Sequence, residues 1–249
     1  MKANKFLTLL AALVLGATTT PLMAGNPPIF GDLFKDTPKR HLEMNWFWGF
    51  NNWGDNIFSG FGGTTGDAEV SYYFMDYGFT LDYPLVNASH FGLYAGLGME
   101  GDLYHFTSPL VSSTATGFQA STPMATTTTG TLDPDNWDSY FSNFAIVLPI
   151  TISVEPWKYD KFCIRLSAIP GINIFSYLHQ NYESKALNLQ VTDKDCGKKA
   201  SSFMLDTRLT LMYKNIGLYA QVSTMPLFKD GFQDLYPVKF GFIWSISGR

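Results

Sequence analysis

Large apolar residues occupy every second position over eight stretches of the chain. In the first, Leu42, Met44, Trp46, Trp48 and Phe50 alternate with Glu43, Asn45, Phe47 and Gly49. The same period returns at 70–83, where Tyr77, Phe79, Leu81 and Tyr83 oppose Asp76, Gly78, Thr80 and Asp82. It recurs at 90–104, 139–155, 161–178, 202–213, 216–225 and 237–246. In the last of these, Val238, Phe240, Phe242, Trp244 and Ile246 oppose Lys239, Gly241 and Ser245. A strict period of two marks a strand with two unlike faces, and no segment shows the 3.6 period of an amphipathic helix.

The connections alternate in length. Long links at 51–69, 105–138 and 179–201 and a medium one at 226–236 alternate with short ones at 84–89, 156–160 and Lys214-Asn215. Eight antiparallel strands with short turns at one end and long loops at the other predict an all-β, up-and-down transmembrane β-barrel. Ten strands result if part of 106–132 pairs as a hairpin above the membrane. Two prolines fall inside the expected strands. Pro170-Gly171 is read as a bulge, whereas Pro149 has no local account.

The first residues bear on the compartment. Lys2 and Lys5 precede an apolar run from Phe6 to Gly16, then Thr18–Thr20, Pro21 and the small Ala24. This is the pattern of a cleaved secretory signal peptide, whose core is too short to span a bilayer. The expected organisation is a signal peptide over 1–24, a Pro-, Gly- and charge-rich periplasmic linker over 25–40, and a barrel over 41–249.

Composition then distinguishes the two faces. Of 249 residues, 16% are aromatic and only 15% charged, and the net charge is −4. A soluble domain carries roughly 25% charged residues, so a solvated charged surface is not provided for. The acidic balance argues against nucleic acid as a partner. Strands of ten or more residues match a tilted membrane span. Isolated charges of both signs (Glu43, Asp76, Asp82, Glu100, Arg165, Asp206, Arg208, Lys239) share the polar face with glycines. The rings Trp46, Tyr83, Phe91, Tyr140, Trp157, Phe162, Tyr177, Phe203, Tyr213 and Trp244 lie near the ends of the apolar face, like an interfacial girdle. Both favour lipid outside and a polar lumen inside over a soluble β-sandwich or secreted barrel. The expected place is the outer membrane of a Gram-negative bacterium, with both termini periplasmic.

Leu148-Pro149-Ile150, Gly217-Leu218-Tyr219-Ala220, Pro226-Leu227-Phe228-Lys229 and the final strand from Tyr236 to Ile246 resemble the PorT-like outer-membrane β-barrel family. That resemblance covers most of the chain after residue 40. It implies an eight-stranded barrel of OmpA/OmpX-type architecture and a part in secretion or envelope assembly. The chain departs from the usual aromatic ending. Ser247-Gly248-Arg249 follow the last strand, so Phe242 or Trp244 would carry the assembly signal.

Candidate chemistry is sparse. Gly96-Leu97-Gly98-Met99-Glu100-Gly101 spells G-x-G-x-x-G, but inside an alternating strand with no helix after it, so lumen packing is the reading. Asp133, Asp135 and Asp138 gather carboxylates without the Gly and terminal Glu of an EF-hand, and read as a solvated turn. His41, His90, His105 and His179 read as rim residues; His105 lies near Ser108, but no acid is placed to orient it. Cys163 and Cys196 fall a membrane thickness apart and are expected unpaired. No catalytic, cofactor-binding or metal site is expected, and no enzymatic activity.

The sharpest expectation concerns the lumen. Arg165 and Arg208 should find partners among Glu43, Asp76, Glu100 and Asp206, because an eight-stranded barrel is just wide enough for side chains to fill and unpaired charge there is costly. The expected role is structural or interactive: contact with outer-membrane lipid, and with a protein or surface ligand through the loops at 51–69, 105–138 and 179–201, as in adhesion or envelope integrity. Competing readings are a lipid-modifying enzyme, a narrow pore and a soluble secreted β-barrel.

Overall fold

In the computed structural model the described residues are 42–54, 56, 70, 71, 73–87, 90–106, 111–114, 117–120, 136–155, 162–183, 188–193, 199–229 and 234–247. The expected signal peptide and linker lie outside them, as do His41, Ser108, Asp133, Asp135 and Cys196, and most of the three long loops.

The strands in chain order are β1 (Glu43–Gly54), β2 (Val70–Ser71), β3 (Tyr73–Asn87), β4 (Phe91–Phe106), β5 (Val111–Thr114), β6 (Gly117–Ala120) and β7 (Asn136–Val147). They continue with β8 (Ile150–Val154), β9 (Phe162–Glu183), β10 (Asn188–Asp193), β11 (Phe203–Tyr213), β12 (Ile216–Ser223) and β13 (Tyr236–Ser247). All pairings are antiparallel. β1 pairs β3, β3 pairs β4, β4 pairs both β7 and β8, and these pair β9; β11, β12 and β13 follow. β13 then returns to β1 over twelve residue pairs, from Glu43↔Ser247 to Gly54↔Tyr236. With β7 and β8 as one stave, this is a closed eight-stranded antiparallel barrel. β5 and β6 form a separate ribbon rather than two further staves.

Several strands run further than alternation indicates. β3 continues through Pro84 to Asn87, past the start of the expected 84–89 turn, because one extra residue at Leu85 is absorbed as a bulge against β4. At the long-loop end β9 reaches Glu183, where β10 folds back along it. A second bulge places the extra residue Ile174 on β9 opposite the Phe144–Ala145 step of β7. The bulge expected at Pro170-Gly171 is absent. Register holds straight through, with Leu205↔Pro170 on one side.

The two prolines instead thin the same spot of the wall. Leu148 N–H donates to Pro170 O at 2.8 Å, and Gly96 N–H donates to Pro149 O at 2.8 Å. The returning bond of each pair would need a proline N–H, so each pair keeps one bond where two are usual. Pairing with β4 and β9 resumes in the same register at Ile150.

Burial is inverted relative to a soluble protein. Leu97, Leu166, Ile172, Leu209, Leu218 and Phe242 point outward and are exposed, while Asp76, Glu100, Asp206, Arg208, Gln221 and Lys239 are buried inside.

Candidate functional site

The inner wall is built by one parity of each stave, so the lumen chemistry follows from which inward positions share a depth. Nearest the short turns, Arg165 on β9 reaches across to Glu43 on β1, Nη2 to Oε2 at 2.8 Å. Tyr94 hydroxyl donates to Glu43 Oε1 at 3.4 Å, and the Arg165 guanidinium lies 5.6 Å from the Tyr94 ring centre. Beside them Asn45 Nδ2 donates to Asp82 Oδ2 at 2.8 Å, and the hydroxyls of Thr151 and Ser167 bond at 2.8 Å. The free thiol of Cys163 is buried against Phe47, Met212, Tyr219 and Ile243.

At mid-depth the Lys239 ammonium is the hub. It pairs with Glu100, with Asp102 at 2.8 Å, with Asp76 at 3.9 Å and with Asp206 at 4.0 Å. Arg208 Nη2 meets Glu100 Oε2 at 3.2 Å, and its guanidinium stacks on Phe47, 3.9 Å from the ring centre. Gln221 bridges the acids, with Nε2 donating to Glu100 Oε1 at 2.8 Å and to Asp206 Oδ2 at 2.6 Å. Its Oε1 accepts from Arg208 Nε at 2.5 Å. Tyr219 hydroxyl donates to Asp76.

Above this layer an aromatic cap closes the long-loop end. Trp53 stacks on Tyr104 with ring centres 4.5 Å apart and packs against Phe106, Phe141 and Phe228. The connection after β12 supplies Leu227 and Phe228, tied by Ser201 N–H to Leu227 O at 2.7 Å and by the Ala200↔Phe228 bridge.

Glu43, Asp76, Glu100, Arg165, Asp206 and Arg208 thus all lie on the inner wall. Arg165 meets Glu43 and Arg208 meets Glu100, whereas Asp76 and Asp206 face Lys239 rather than an arginine. Lys239 as the hub was not legible from its place in the alternation. Asp102 joins the cluster as well, and the period of two is the signal for it, since it puts Asp102 on the same face as Glu100. Asp76 and Asp102 are direct cross-strand partners, a repulsive arrangement that the ammonium between them offsets.

G-x-G-x-x-G lies wholly in β4, which continues as strand to Phe106. A Cβ on Gly96 would run into Asp82 and Pro149, so close packing accounts for that glycine. Of the histidines, His90 Nδ1 lies 2.9 Å from Glu155 O and His179 packs on Tyr140.

Fold and lumen together define a class: an inside-out, eight-stranded β-barrel whose interior is filled by side chains. No protein-family model matches the chain, and no curated protein is found similar. Among solved structures, Ail, the attachment invasion locus protein of Yersinia pestis, matches over 84% of this chain and all of its own. In complex with the heparin analogue sucrose octasulfate it shows 8% identity and a TM-score of 0.41; a second Ail structure gives 10% and 0.36. A mutant Rh. blastica porin matches over 82% of this chain and 99% of its own at 10% identity and a TM-score of 0.20. Likeness this distant says nothing about what this chain binds.

Proposed function

We propose that this protein is an outer-membrane β-barrel of a Gram-negative bacterium, with both termini on the periplasmic side. Its filled lumen would hold the barrel together, and its long loops would make the contacts with partners. The single observation that carries this reading is the inverted burial. Exposed apolar rings and aliphatics run all round the wall, while the ion pairs are enclosed. In water such a belt would be an aggregation surface, whereas in a bilayer it is the required face. A groove of about 630 Å³ on the outer wall is lined by Trp46, Trp48, Tyr77, Phe79, Met99 and Trp244, chemistry that suits lipid acyl chains. Each stave pairs with a neighbour on both sides, so the closed ring leaves no free sheet edge, which is the condition for crossing hydrocarbon with strands.

The cap over Trp53 and the Lys239 layer favour a structural or interaction protein over an open pore. A place in the PorT-like family, with a part in secretion or envelope assembly, belongs to the same proposal and rests on the residues quoted for it. The test is membrane fractionation with gel mobility before and after heating. The barrel should fractionate with the outer membrane and shift on heating. A soluble, unshifted protein would overturn the reading, and large steady conductance in planar bilayers would overturn the filled lumen.

A further inference from the structure

The connection between β12 and β13, described over 224–229 and 234–235, folds inward across the long-loop mouth. Leu227, Phe228 and Leu235 are buried there in one cluster with Trp53, Tyr104 and Phe141. Thr224 N–H donates to Leu205 O on β11 at 2.8 Å. Beyond that point, among the described residues, three backbone bonds hold the connection. Ser201 N–H donates to Leu227 O at 2.7 Å, Lys229 N–H to Lys199 O at 2.8 Å, and Leu227 N–H to Leu235 O at 2.7 Å. It is clipped to the segment before β11 and to its own return, and is not woven into a stave.

Its underside is mismatched with what it covers. Met225, Pro226 and Leu227 meet Asp102, Asp206 and Lys239 across a cavity of about 10 Å³. Oδ1 of Asp102 and Oδ1 of Asp206 are buried without a partner. So are the Tyr104 hydroxyl, within the cap itself, and both amide atoms of Asn51, one inward position below Trp53 on β1. Asp76 Oδ1 is unpartnered too, but Asp76 does not line that cavity. Buried polar atoms without partners are costly, and water would serve them.

With the connection seated, apolar side chains are withdrawn from water and these polar atoms stay dry. With it raised, the polar atoms are hydrated and Leu227, Phe228 and Leu235 are exposed. Each arrangement satisfies what the other leaves unsatisfied, which favours two states of similar free energy. The ion pairs beneath are held from β4, β11 and β13 and do not depend on the connection.

We propose that the connection after β12 is a lid, hinged at Thr224, that lifts to admit water and small polar solutes to Asp102 and Asp206 while the Lys239–Arg208 layer keeps the barrel shut to through-flow. The test uses the full chain with Cys163→Ala and Cys196→Ala, refolded into detergent. Ser223→Cys is the reporter, since buried Ser223 lines the cavity. A small methanethiosulfonate should modify it while gel mobility still shows a folded barrel. Phe228→Ala, which removes a ring from the cap, should raise the rate about 10-fold or more. A disulfide across the Ala200↔Phe228 bridge, from Ala200→Cys with Phe228→Cys, should slow the reaction, and reducing it should restore the rate.

The wild type also reads the lid without any variant. The amides of Leu227 and Lys229 lose their partners together when it lifts. They should exchange with deuterium at equal protection, well below that of Arg208 and Gln221 on the staves. Three results would each overturn the proposal: modification of Ser223→Cys only as fast as the barrel unfolds, which assigns the unpartnered atoms to sealed-in water; a rate that the disulfide leaves unchanged; or Leu227 and Lys229 as protected as the staves.

Discussion

Arg208 and Leu209 are chain neighbours with opposite fates. Arg208 is 4% exposed inside the barrel, and Leu209 is 46% exposed on its outside. The contrast between the two walls holds along β11, with Asp206, Thr210 and Met212 inward and Leu211 and Tyr213 outward. In water this arrangement would be wrong on both counts: apolar area left exposed and charge desolvated. It becomes stable when lipid covers one wall and the charges of the other find each other. The inner wall is therefore held by a few strong, geometry-dependent contacts. The outer wall is held by many weak ones, none of which is individually decisive.

The largest effect expected is on the inner wall. Lys239→Met removes the cation shared by four carboxylates and should cost about 3–5 kcal/mol or prevent refolding, read as the urea dependence of heat-modifiable gel mobility. Wild-type stability in that variant would mean the cluster does not depend on its hub. The outer wall gives the next effect. Leu209→Arg should cost about 2–4 kcal/mol in a bilayer if its mid-strand position lies near the midplane. On a water-facing surface the same change would be close to neutral, so a null result here counts against lipid contact.

A smaller effect separates the two charged layers from each other. The Arg165 and Glu43 side chains keep 12% and 11% exposure near the short-turn mouth, against 1% for Lys239. Arg165→Met should therefore cost less, about 1–3 kcal/mol, since Glu43 is left beside Tyr94 but within reach of water. The smallest effect lies where the walls meet a turn. Lys214 has φ of 56° in the two-residue turn between β11 and β12, a position that glycine fills without strain. Lys214→Gly should raise stability by about 1 kcal/mol, and an unchanged urea midpoint would show the strain to be negligible.

Much of this contrast was legible as a pattern. A period of two assigns Arg208 and Leu209 to opposite walls without any knowledge of neighbours, and the alternating loop lengths order the eight staves. Depth was not legible. Parity alone cannot say that Asp76 and Asp102 stand opposite each other, because their register depends on the bulge at Leu85 and on how β3 meets β4. Nor could it show that Pro149 and Pro170 thin one spot, since their 21-residue separation closes only when β8 folds along β9.

The order of residues by itself determined the two unlike faces of each strand, because these are local consequences of side-chain alternation; that 106–132 adds no stave was decided only where β5 and β6 pair as their own ribbon. Tertiary structure alone decided that Lys239, on the last strand, meets acids from three others. Closure of β13 on β1 sets the width of the lumen and therefore which inward side chains can touch across it. Contacts between residues as far apart as Glu100 and Lys239, separated by 139 positions, exist only once the ring is shut.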